Sequence, residues 1–187
     1  MNPLLDLLQP YPFERLKQLF ASVTPNPALQ AISLGIGEPK HATPEIIKEA
    51  MVKALSGLAS YPATAGEPAL RQACADWVEK RYQLQLDAHT QILPVCGSRE
   101  ALFSFAQTII NPDEQGALVV CPNPFYQIYE GATFLGGASP VFVNIDPATG
   151  LSNFHALSPD VLAKTKLMYV CSPNNPTGAV YSLEDWQ

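Results

Sequence analysis

The chain has 187 residues, 47% of them hydrophobic and 15% charged, which suffices for one packed domain but not for two complete ones. Seventeen acidic against 11 basic side chains give a net charge of -6, so the basic footprint that nucleic acid or anionic lipid requires is missing. The opening MNPLLDLLQPYPFERLKQLF has no basic n-region and is interrupted by prolines at 3, 10 and 12; it reads as neither signal peptide nor membrane span, and a cytoplasmic location is expected. Cys74, Cys96, Cys121 and Cys171 form no C-x-x-C pair, which argues for reduced thiols and against a metal or redox site. Three of them fall where buried strands are expected to end, as small apolar filler. His41, His89 and His155 show no metal or triad spacing. The 18 prolines, about twice the usual share of roughly 5%, fall at element edges and punctuate a fold.

In chain order, residues 1–30 read as an arm carrying a short amphipathic helix near 13–21. A helix start follows, with Thr43 as cap and Pro44 in the first turn. Ile47, Ala50, Met51, Ala54 and Leu55 keep helical spacing until Gly57. A second helix opens at Glu67-Pro68 with Leu70, Ala73, Cys74, Trp77 and Val78 on one face, and both helices are expected to cover a core. From residue 91 the pattern becomes short apolar runs alternating with helix-length segments: strands near 91–96, 117–121, 140–145 and 167–171, and helices near 98–109, 124–135 and 158–164. This spacing predicts an α/β fold with crossover units and a mostly parallel sheet flanked by helices. The run ALVVC is continuous rather than alternating, as for a strand covered on both faces. A further helix is expected to start at Ser182.

Ligands of open α/β sheets sit beyond the carboxyl ends of the strands, which points to the loops CGSREA, CPNPFYQIY and CSPNNPTG. Gly97, Ser98 and Arg99 fall at a helix N-terminus, where free N–H groups favour an anion such as phosphate; a plain Ser98 cap is the alternative. There is no Walker pattern and no G-x-G-x-x-G. Core packing is the default for a single aromatic, but the adjacent Phe125 and Tyr126 cannot both face the same way, and the one that faces the cleft would stack on a flat heteroaromatic ring. In the last loop each proline holds the residue before it extended, which fixes an asparagine amide at the sheet edge, suited to a phenolate-like oxygen. X-Pro bonds in this loop are candidates for the cis form.

Together these loops resemble fold type I pyridoxal-phosphate enzymes, specifically the class I/II aminotransferases, whose signatures include SPNNPTG. The resemblance covers almost the whole chain. LGIGEP is similar to that family's GEP segment, which places Gly37 near the substrate carboxylate. YPATAGEPALRQA is similar to its Tyr-x-x-x-x-Gly-x-x-x-Leu-Arg pattern, which implies that Tyr61 reaches the cofactor phosphate of a neighbouring subunit in a homodimer. By the same resemblance Ser98 and Arg99 are backbone phosphate donors; the Arg99 side chain is open to two readings, a further phosphate contact or a solvated first-turn arginine. Tyr126 is the ring that stacks on the pyridine, and Asn175 is the partner of the cofactor's phenolic oxygen.

The opening segment is further similar to the succinyldiaminopimelate aminotransferases, which exchange an amino group between glutamate and a succinylated amino-keto acid. The resemblance also implies domain limits: residues 1–43 as arm and first small-domain segment, 44–187 as the first part of a large cofactor-binding domain. It requires a Schiff-base lysine in a Ser-Lys context. Lys17, Lys40, Lys48, Lys53 and Lys80 fall in the arm, the GEP loop or helix faces, and Lys164 and Lys166 precede the last strand; all read as solvated surface charges. The chain therefore reads as the N-terminal half of such an enzyme, truncated, incomplete in its sheet and inactive alone. Another enzyme of the same fold, a carbon–sulfur lyase or a synthase, and a noncatalytic binding or regulatory module remain open.

Overall fold

The structure, a computed structural model, describes residues 3–187. Two compact units emerge, one made of the residues up to Arg15 together with Val95–Gln187, the other of Leu16–Pro94. Helix α1 (Pro12–Leu19) spans the point where the chain passes between them.

In the Leu16–Pro94 unit, α2 runs Glu45–Lys53 and α3 runs Pro68–Tyr82. Thr43 is not the cap of α2: Pro44 occupies that position with extended ψ, and its carbonyl accepts from the N–H groups of Ile47 and Lys48. The helix also stops earlier than its apolar spacing implies, giving way to a 3-10 turn at Leu55–Ala59 that contains Gly57.

Helix α3 starts where Glu67-Pro68 predicts, with the proline in the first turn, where a missing N–H costs nothing. Its inner face is displaced from the expected stripe. Arg71 and Ala75 are buried and Cys74 and Val78 half-buried, while Leu70 and Trp77 are exposed; α2 buries no residue at all. The displacement follows from Arg71, whose Nε donates to Ala88 O at 2.7 Å and whose Nη2 donates to His89 O. A buried guanidinium must have such acceptors, and the 88–89 carbonyls lie on that side of the helix.

In the other unit, α4 (Ser98–Ile109), β1 (Leu118–Asn123), α5 (Ile128–Leu135), β2 (Ser139–Asn144), α6 (Pro159–Lys164) and β3 (Thr165–Met168) follow in order. The three strands form one parallel sheet in the order β2-β1-β3, as the alternation of strand and helix predicts. Central β1 is buried through Val119, Val120 and Cys121, in keeping with its continuous apolar run. Around it Ala106, Ile110, Ile128, Tyr129, Ala132 and Tyr169 complete the core. Two prolines are accommodated: Pro140 lies on edge strand β2, and β3 pairs with β1 only as far as Val120, leaving Pro122 with one neighbour.

Several elements depart from the sequence expectation. Residues 91–96 form no strand, since extended backbone becomes a strand only by pairing and Pro94 has no N–H to give. Cys96 is consequently exposed rather than buried; Cys121 lies inside β1 and Cys171 is half-buried beyond β3. Helix α5 begins four residues after Pro124, whose ring and cis bond to Asn123 belong to the loop. Ser158 caps α6, accepting from Val161 N–H. At Ser182 a turn stands where a helix was expected: Asp185 Oδ2 accepts from Ser182 N–H and Oγ–H, and Asp185 N–H donates back to Ser182 Oγ. Such a nucleus alone does not make a helix.

Candidate functional site

Parallel strands send all their carboxyl ends to one sheet edge, and β1 and β3, whose exits carry Tyr126 and Asn175, are direct neighbours. Helix α4 reaches the same edge through one hydrogen bond. Tyr169, just beyond β3, donates from its hydroxyl to Leu102 O, one turn into α4, at 3.0 Å. Ser98, Arg99, Tyr126 and Asn175 are thereby gathered at one end of the sheet.

The N-terminus of α4 is built to leave donors free. Gly97 has φ 138° and ψ 150°, a backbone conformation closed to side chains, and a Cβ there would stand 2.9 Å from Glu100 Oε2. No side chain caps the helix, so Ser98 is not the plain cap that the sequence left open. The first N–H with a backbone partner is that of Ala101, to Gly97 O, and those of Ser98, Arg99 and Glu100 point out of the helix end unpaired. With the helix dipole behind them, they suit an anion with several oxygens.

The adjacent aromatics divide. Phe125 stacks on Phe142 of β2, with centroids 5.1 Å apart, while Tyr126 meets Tyr129 edge-on at 5.9 Å. Both stay half-buried. Tyr129 in turn stacks almost parallel on Tyr169, 4.2 Å between centroids at an interplanar angle of 9°. Burial pushes the Tyr169 phenol up to about 12 and raises that of Tyr129 as well, so both hydroxyls keep their protons. Burial likewise pushes the Cys121 thiol up to about 12.

The last loop explains its two asparagines. Asn174 is buried and turned inward: its N–H donates to Ala179 O, its carbonyl accepts from Gly178 N–H, and its Nδ2 donates to Thr177 Oγ1 at 2.9 Å. Asn175 is exposed, and its side-chain amide has no partner within the protein. The peptide bonds before Pro173 and Pro176 are both cis, as the sequence left open. Outside braces hold the loop. Thr177 Oγ1 donates to Gly150 O, Ser172 Oγ accepts from Tyr181 N–H, and the Tyr181 hydroxyl both accepts from Ser152 N–H and donates to Ser152 O. Gly150, at φ 72°, is needed here because a Cβ would press on Ala179 Cβ at 3.2 Å.

Gly37 and Tyr61 belong to the other unit, where both lie in irregular, exposed backbone. Tyr169, Asn174 and the Ser152–Tyr181 brace are the residues of the edge that sequence reading passed over. The signal for Tyr169 was a phenol inside an apolar run, which must find an acceptor when buried.

Of the lysines, Lys48 pairs with Glu45 at 2.5 Å and Lys53 with Glu49 at 3.9 Å along α2. Lys166 lies in β3 rather than before it, and its ammonium is half-buried against Glu114 at 2.5 Å, so it is not a solvated surface charge. It still stands toward the amino end of the strand, away from the loops described above. No cluster of metal-ligating side chains occurs among the described residues, nor any helix long and apolar enough to cross a membrane.

Residues 30–187 match the family model described as aminotransferase class I and II. The LL-diaminopimelate aminotransferase of Desulforudis audaxviator is 38% identical over 180 residues, covering 95% of this chain and 45% of that protein. That of Aquifex aeolicus is 34% identical over 183 residues, covering 96% and 46%. Among solved structures, an aminotransferase from Neisseria meningitidis superposes with a TM-score of 0.92 at 50% identity, covering 100% of this chain and 48% of that one. Aminotransferase AspB from Helicobacter pylori gives a TM-score of 0.86 at 36% identity, covering 95% and 46%. The chain spans about half the length of the curated relatives it matches.

Proposed function

Since this chain belongs to the class I and II aminotransferases, a family of pyridoxal-phosphate enzymes, we propose that it is the N-terminal part of a transaminase acting on a diaminopimelate-type substrate. The observation that carries this reading is the set of unmet donors at one sheet edge: the free N–H groups at the start of α4 and the unpartnered Asn175 amide, with the Tyr126 ring at the neighbouring strand exit. They match the three parts of pyridoxal phosphate, namely a dianion, a phenolic oxygen and a flat ring.

The N–H groups of Ser98 and Arg99 hold the phosphate and the Asn175 amide donates to the phenolic oxygen. Tyr126 covers one ring face and excludes water from it. When bound, the cofactor supplies an electron-poor ring that stabilises negative charge on the substrate's α-carbon. In a homodimer Tyr61 adds a donor to the neighbouring subunit's phosphate, and Gly37 lies beside the substrate carboxylate. Residues 44–187 are the first part of the large cofactor-binding domain, after an arm and small-domain segment at 1–43. The protein works in the cytoplasm.

For the substrate, the likeness of the opening segment favours N-succinyl-LL-2,6-diaminopimelate with 2-oxoglutarate as acceptor. LL-diaminopimelate itself is the second reading, favoured by what the curated relatives are called. The two differ only at the distal amine, so one assay separates them. The protein as its own cells make it is incubated with 2-oxoglutarate and either compound, and glutamate is measured. Preferential turnover of the succinylated compound is expected, and no glutamate from either would overturn the transaminase reading. The 187 residues expressed alone are expected to turn over neither, because the two lysines of the sheet's own unit, Lys164 and Lys166, stand before or at the amino end of β3 rather than at the carboxyl edge; transamination by them would sink that part.

A further inference from the structure

The three loops at the carboxyl edge are tied together by a single side chain. Tyr169 is 5% exposed and makes two unlike contacts. Its hydroxyl donates to Leu102 O, across 67 residues of chain, and its ring lies flat on Tyr129, which is itself 4% exposed. Tyr129 then presents its ring at 86° to that of Tyr126, while Phe125 turns away to Phe142. A helix moves as a rigid rod over one turn, so a bond to Leu102 O sets the position of the N–H groups of Ser98 and Arg99. An edge-to-face contact likewise sets the tilt of the half-buried Tyr126 ring.

We propose that Tyr169 is a positioning residue for the cofactor, fixing the phosphate donors of α4 through its hydroxyl and the stacking ring of Tyr126 through its own ring by way of Tyr129. The proposal rests on the assignment of this edge as a pyridoxal-phosphate site. It divides one side chain into two separable functions, since the hydroxyl serves the phosphate end of the ligand and the ring serves the heteroaromatic end. A core tyrosine that merely filled space would affect both ends alike.

The test uses the protein as its own cells make it, stripped of cofactor and titrated with pyridoxal phosphate and, separately, with pyridoxal, which lacks the phosphate. Tyr169→Phe keeps the stack and loses the bond to Leu102. It is expected to weaken pyridoxal phosphate roughly fivefold and pyridoxal less than about twofold, the loss of one neutral hydrogen bond. Tyr129→Leu keeps the bond and loses the stack, and should weaken both ligands by a common factor. The ratio of the two affinities is the deciding readout: a ratio in Tyr169→Phe equal to that of the unmodified protein overturns the proposal, even if stability falls. An unmodified protein with no preference for the phosphorylated ligand would overturn the site assignment beneath it.

Discussion

Asn174 and Asn175 are identical residues side by side with opposite surroundings. The first is buried and knits the loop through Thr177, Gly178 and Ala179; the second is exposed with an unused amide. Asn174→Ala should therefore lower stability by about 1 kcal/mol, one side-chain hydrogen bond, as read by urea unfolding. Asn175→Ala should leave the midpoint unchanged while weakening pyridoxal-phosphate binding in a titration. The sequence pointed to a rigid loop with a presented amide, because prolines restrict their neighbours whatever the fold. How the two asparagines divide depends on which backbone groups of residues 177–179 come within reach, and that is decided by the turn. The cysteines separate on similar grounds. Burial pushes the Cys121 thiol up to about 12, whereas Cys96 is exposed. A thiol reagent at about pH 8 should label Cys96 in the native protein and Cys121 only after unfolding, a difference visible in peptide mass mapping.

At the scale of elements, the glycine before α4 holds a backbone conformation that disfavours any side chain. Gly97→Ala would force a Cβ into a conformation reserved for glycine and onto the Glu100 carboxylate. A cost of about 1–3 kcal/mol is expected, with a weakened response to inorganic phosphate in thermal-shift measurements because the first turn must move. The extent of α4 was legible, since a glycine and a serine follow an extended segment and lead into an apolar repeat. The start of α3 was legible from Pro68 for the same local reason. The inner face of α3 was not, because apolar periodicity favours Leu70 and Trp77, whereas two backbone carbonyls at 88 and 89 draw Arg71 inward. A helix face is chosen by what it meets. The segment 91–96 makes the same point for strands: its residues are apolar enough, but pairing is a property of two segments.

Across the whole molecule, buried phenols and a buried thiol give the fold a definite alkaline limit. Unfolded, Cys121 ionises near 9.0 and Tyr129 and Tyr169 near 10.0; folded, burial holds all three neutral to higher pH, Cys121 and Tyr169 to about 12. Above about pH 9 the unfolded chain therefore binds fewer of these protons than the folded one, so the contribution of the three groups is constant between about pH 7 and 9 and falls as pH rises toward 12. Thermal unfolding followed from about pH 7 to 11 should show this onset, and a melting temperature that stayed flat would contradict the burial of these groups.

The sequence by itself determined the alternation of strand and helix, the parallel sheet, the buried central strand and the three loops that border it. Each of these follows from local rules: periodicity, proline and glycine geometry, and the exposure of helix-end donors. Only the tertiary structure decided that β1 and β3 are neighbours, that α4 is tied to them through the Tyr169 hydroxyl, and that one asparagine turns in and the other out. Those outcomes depend on contacts between residues far apart in the chain. Local preferences cannot encode them, because each partner's environment exists only once the other has arrived.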